Sequence, residues 1–107
     1  MTIKYKNAKV DLTTTGATAV LTPANATTAV IKSILASEDS GNADTITVTI
    51  TDTADAVFSV FKVKAEAANT TVELLTQPLV LAESEVLKAT AATANRLHIV
   101  ASYMEIS

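Results

Sequence analysis

The chain has no cysteine and no tryptophan, one histidine, two glycines and two prolines among its 107 residues. Each scarcity closes a class of function. Without cysteine there is no disulfide framework and no thiolate, which fits a protein made and used in the cytosol. With His98 as the one histidine, a transition-metal site would have to be mostly carboxylate. Gly16 and Gly41 alone cannot build a phosphate-cradling loop of the G-x-G-x-x-G or G-x-x-x-x-G-K-[ST] kind. Four aromatics, Tyr5, Phe58, Phe61 and Tyr103, leave little on which to stack sugar rings, and the two phenylalanines are expected in the core. Eleven carboxylates against eight Lys and Arg give a net charge of −3, so the clustered basic face of a nucleic-acid binder is missing. Lys4, Lys6 and Lys9 read as a solubilising face. No apolar run approaches the roughly 20 residues that span a bilayer. The polar start Met1–Asn7 carries no signal-peptide pattern.

What remains is strand. Eighteen threonines and nineteen alanines dominate the composition. Thr45-Ile46-Thr47-Val48-Thr49-Ile50-Thr51-Asp52 alternates β-branched apolar residues with threonine, the period of a strand with one buried and one wet face. Turn signals recur every 8–12 residues, the spacing of an all-β sandwich or barrel. Extended segments are expected at Asn7–Leu12, Thr18–Thr22, Thr28–Ser37, Thr45–Asp52, Val57–Val63, Thr71–Leu75, Leu79–Leu81, Val86–Ala91 and Leu97–Ile106. The fold class is therefore all-β: a single-domain antiparallel β-sandwich over 1–107, jelly-roll or Ig-like, of about eight strands. Residues 1–9 read as an extended amino-terminal arm. The alanine content implies a thin core and modest stability as a monomer, which association would raise.

No pattern points to catalysis. His98 and Ser102 lie four residues apart, about 13 Å in a strand, and no G-x-S-x-G elbow exposes a nucleophile. Glu38-Asp39-Ser40-Gly41-Asn42-Ala43-Asp44 lacks the acidic ladder of a calcium loop and reads as a solvated hairpin loop. Asp52 and Asp55 flank a tight turn. Asn25-Ala26-Thr27 and Asn69-Thr70-Thr71 match the glycosylation sequon but read as turns, and their surroundings repeat: Pro23–Val30 is echoed by Glu66–Val72. No catalytic, cofactor-binding or metal-binding residue is assigned.

The order of segments carries a resemblance. Tyr5-Lys6-Asn7-Ala8-Lys9 precedes Pro23-Ala24-Asn25-Ala26-Thr27-Thr28-Ala29-Val30-Ile31-Lys32-Ser33-Ile34. Then come Pro78-Leu79-Val80-Leu81, Leu87-Lys88-Ala89-Thr90-Ala91 and the closing Val100-Ala101-Ser102-Tyr103-Met104-Glu105-Ile106. This resembles a family of small virion structural proteins of tailed bacteriophages, with Gln77 standing where glycine is usual and Ser84-Glu85 replacing a Gly-Asp turn. The resemblance implies a non-enzymatic β-sandwich, made in the host bacterial cytoplasm and located on the virion. A capsid decoration (cement) protein leads, with a neck, connector or tail protein as the alternative. An adhesive or carbohydrate-binding module is the competing class. The partners implied are further copies of the chain, as a homo-oligomer with a trimer favoured, and virion proteins such as the major capsid protein. Neither nucleic acid, membrane nor cofactor is expected. Contact residues are expected in the arm, at Ile3, Tyr5 and Lys6, and in the last strand, at Tyr103, Met104 and Ile106, because Tyr and Met are favoured at interface centres.

Overall fold

The computed structural model describes residues 1–107 and consists of nine strands with no helix. They are β1 Ile3–Asp11, β2 Thr18–Leu21, β3 Thr28–Glu38, β4 Asp44–Thr51, β5 Val57–Glu66, β6 Thr71–Glu73, β7 Leu79–Leu81, β8 Val86–Ala91 and β9 Leu97–Ile106. Two antiparallel sheets pack face to face. The first, sheet A, runs β1-β9-β3 and ends in β6 and β7, which both pair with β3; the second, sheet B, runs β2-β8-β4-β5. If β6 and β7 are taken as two halves of one interrupted strand, this is the jelly-roll order, which decides between the two sandwich topologies. In the interruption the Glu73 carboxylate stands in for a missing strand, accepting the Ile34 N–H at 2.8 Å and the Leu75 N–H at 3.2 Å.

The core follows from alternation. In β4 Asp44, Ile46 and Val48 turn inward while the threonines between them stay half exposed. In β9 Leu97, Ile99, Ala101 and Tyr103 turn inward. Five of the sixteen core residues are alanine, so the layer between the sheets is thin and rests on Leu12, Ile31, Ile34, Ile46, Leu81, Leu87, Leu97 and Ile99. The phenylalanines contribute less than the sequence suggested. Phe61 is half buried, and Phe58 is 58% exposed on the edge strand β5.

One residue sets the phase of the longest strand. Ile31 pairs with Tyr103 and Ser33 with Ser102, so Lys32 is an extra residue in β3. Before this bulge Ala29 and Ile31 are buried; after it Ile34, Ala36 and Glu38 are. A single inserted residue moves a strand's inward set by one position. Glu38 faces inward because of it.

The near absence of glycine is met by other residues in left-handed conformation at turns: Ala26, Asp55, Asn69, Ser84 and Asn95. The repeated turn sequences share one device. Thr27 Oγ1 donates to the Ala24 carbonyl and Thr70 Oγ1 to the Ala67 carbonyl, each at 2.7 Å, and each follows a left-handed residue. In the Asp52–Ala56 turn, Asp52 Oδ1 accepts the N–H groups of Ala54 and Ala56, both at 2.9 Å, as an Asx turn requires.

The expected amino-terminal arm is not free. Residues from Ile3 onward are a strand paired with β9 along its whole length, and Thr2 and Ser107 exchange backbone hydrogen bonds at 2.8 and 2.9 Å. The polar side chains that suggested an arm are tolerated because this end of β1 extends past the core.

Candidate interaction surface

Cross-strand pairs share a face, so the register shows which residues meet on the outside of sheet A. Tyr5 pairs with Met104, Met104 with Val30, and Val30 with Val80. The next row holds Ile3, Ile106 and Thr28. The result is an apolar patch beside both chain termini, with Ile3, Tyr5 and Val80 exposed and Tyr5 81% so. Of the six contact residues expected from sequence, Ile3, Tyr5, Met104 and Ile106 come together here.

The other two do not. Tyr103 is 9% exposed and belongs to the core. Lys6, its cross-strand partner, projects from the same inner face and pairs with Glu105 Oε1 at 3.2 Å. The period-2 rule held the signal, since adjacent Tyr103 and Met104 cannot both face outward. Val30 and Val80, which complete the patch, were missed because a β-branched run reads as core from either phase.

Further along the same face lies a shallow hollow of about 280 Å³, lined by Lys9, Val10, Asp11, His98, Ile99 and Val100. His98 sits at its rim, half exposed, with Nε2 3.4 Å from Asp11 Oδ1 and Nδ1 3.5 Å from Asp39 Oδ2. No serine hydroxyl is hydrogen-bonded to it, and no three His, Cys, Asp or Glu side chains are grouped to hold a metal ion.

Three carboxylates enter the sandwich from its far end: Glu38 from sheet A, and the cross-strand pair Asp44 and Glu66 from sheet B. Asp44 Oδ2 accepts the Thr93 N–H at 3.1 Å. Glu38 organises two loops. Its oxygens accept the N–H groups of Ser40, Gly41, Asn42 and Asn69 at 2.9 to 3.1 Å, and the Ser40 hydroxyl as well. The segment expected to be a solvated loop is thus anchored on a buried acid. Burial alone would raise the Glu38 pKa, but the bonds from Ser40, Asn69 and Asn42 outweigh it and hold the group at about 2, against an ordinary 4.5. A carboxyl depressed on folding stabilises above its unfolded pKa and loses that contribution as pH falls through the folded value. The melting temperature is therefore expected to fall between pH 4.5 and about 2. A Glu38→Gln variant should be less stable at pH 7 and show a shallower acid-side fall; an identical fall would assign the acid sensitivity elsewhere.

Glu66 is the opposite case. It is 1% exposed and neither carboxylate oxygen has a hydrogen-bond partner. Burial and then the Glu38 charge push its pKa up, with Lys64 opposing. Its protonation on folding favours the native state at low pH, and that benefit is lost as pH rises through the raised value. Glu66→Met, which keeps the volume and removes the unpaired polar group, is expected to stabilise the protein at pH 7 by about 1–3 kcal/mol. Urea unfolding measures this, and a destabilised variant would show that Glu66 has a partner in solution.

Apart from Met1, the remaining exposed large apolar residues lie on β5, where Val57, Phe58 and Val63 are more than half exposed. This edge strand has two register shifts, and Val63 stands at φ 53°, rare for a β-branched residue. Its N–H reaches Thr47 Oγ1 at 3.0 Å instead of a ladder partner.

No family model, curated protein or solved structure matches this chain.

Proposed function

We propose that this chain is a non-enzymatic structural component of a tailed-bacteriophage virion, acting as a capsid decoration protein that bridges neighbouring subunits. The observation that carries the reading is the apolar patch of Ile3, Tyr5, Val30, Val80, Met104 and Ile106 on the outer face of sheet A. A contiguous exposed apolar patch marks a surface meant to be covered. The segment order set out above resembles virion proteins, and the double-sheet jelly roll is an architecture used by viral capsid and lectin domains, a fold-level analogy. The mechanism is steric and cohesive. Covering the patch removes apolar surface from water on both partners, and a rigid sandwich spanning two subunits resists their separation.

The test is incorporation. Labelled chain is mixed with phage heads from which its gene has been deleted, and the heads are sedimented. Saturable binding at a fixed ratio to the shell subunit, abolished in a Tyr5→Asp, Val80→Asp double variant, is the expected result. Absence of binding to heads contradicts the decoration role, and binding to a glycan array instead favours the adhesive class.

A further inference from the structure

The four sheet edges are unequal. β2 has four residues and a register shift, β5 has two shifts, and the β6/β7 edge is two pieces of three residues. Short and bulged edges resist strand addition. β1 is nine residues long, and its register runs unbroken from Ile3↔Ile106 to Asp11↔His98. Thr2 exchanges both backbone bonds with Ser107, and the Leu12 N–H donates to the Leu97 carbonyl. The even-numbered residues thus bond to β9, while Ile3, Tyr5, Asn7 and Lys9 turn their N–H and C=O groups outward.

We infer that β1 pairs antiparallel with β1 of a second copy about a two-fold axis at Asn7, and that Tyr5 of each copy seats against the hollow at Lys9 and Val100 of the other. Hydrogen bonding requires outward residues to meet outward residues, so odd positions face odd positions. The Asn7-centred register pairs all of residues 3–11. It sets Lys4 opposite Val10, Lys6 opposite Ala8 and Lys9 opposite Tyr5, with no lysine facing a lysine. The adjacent registers pair only residues 3–9 or 5–11, and the first sets Lys6 against itself, a destabilising like-charge pair.

The same register continues the apolar row. Val80, Val30, Met104 and Tyr5 of one copy run on into Lys9, Val100 and Leu35 of the other. Tyr5, the most exposed aromatic, thereby meets the one hollow of the molecule, with the Lys9 ammonium able to approach its ring face. The pairing buries these groups twice, as an isologous contact does. It yields a dimer, whereas the family resemblance favours a trimer. This inference rests on the self-association part of the proposed function and specifies its geometry.

Because the chain has no cysteine, Asn7→Cys introduces a single thiol. Hydrogen-bonded antiparallel pairs lie about 5.5 Å apart at Cα, inside the roughly 4.4–6.8 Å range of disulfides. Mild oxidation is expected to convert the Asn7→Cys protein into a covalent dimer and to leave a Ser59→Cys control on the β5 edge monomeric. Adding the exposed-site change Tyr5→Lys to Asn7→Cys, which sets a lysine opposite Lys9 of the other copy, should lower the yield about tenfold or more. No dimer from Asn7→Cys, equal dimer from both positions, or a yield indifferent to Tyr5→Lys would overturn the pairing. A protein that fails here yet binds phage heads keeps its virion role through another contact, and one that dimerises but ignores heads loses that role and keeps the pairing.

Discussion

Deletion of Lys32 is expected to unfold the protein, although its side chain is exposed and Lys32→Ala should change stability by no more than about 0.5 kcal/mol. The residue matters by being counted. It is the extra position that lets Ala29 and Ile31 face inward on one side of the bulge and Ile34, Ala36 and Glu38 on the other. Without it one half of β3 must turn its inward set to solvent. Each large aliphatic so exposed costs about 1.5–3 kcal/mol, and the five-donor arrangement around Glu38 is lost if the second half turns. Against a total stability of about 5–15 kcal/mol for a domain, and toward the low end for so alanine-rich a core, this is most of what holds the fold. Circular dichroism during heating reads the outcome. A cooperative transition near that of the parent would show that β3 tolerates either phase.

The second large effect is expected at Ile46. It is fully buried in β4, a central strand between β8 and β5, and Ile46→Ala should cost about 2–5 kcal/mol. The thin core makes the upper part of that range the expectation, because neighbouring alanines such as Ala89 and Ala91 have no side-chain freedom with which to fill the cavity. Thr49→Ala on the opposite face of the same strand should stay within about 0.5 kcal/mol. Denaturant midpoints of the two variants compare them directly, and similar losses would contradict the assignment of faces in β4.

The features legible in the sequence are those written in period two. The Thr/Ile alternation located β4 to within one residue at each end, and Pro78 marked the entry to β7. The bulge at Lys32 was hidden because Ala29-Val30-Ile31-Lys32-Ser33-Ile34-Leu35 offers an apolar residue in either phase. The start of β1 was hidden for the converse reason: Lys4 and Lys6 occupy the inner face where sheet A overhangs its core, so no buried residue marks the strand. Glu38 was read as solvated, as charged residues in loop-like sequence usually are. Its burial depends on backbone donors from Asn69, which only the tertiary fold brings near. The apolar patch on sheet A was half legible. Tyr and Met pointed to strands that carry it, while the face on which each lies depended on the register of β1, β9 and β3 together.

The proposed self-association begins with the open edge of β1. The mass of the unmodified chain in solution, measured by light scattering over a range of concentrations, tests it most directly. Pairing through β1 predicts a particle of about twice 11.1 kDa at high concentration that dissociates toward 11.1 kDa on dilution. A mass of 11.1 kDa at every concentration, or a stable trimer, would contradict it.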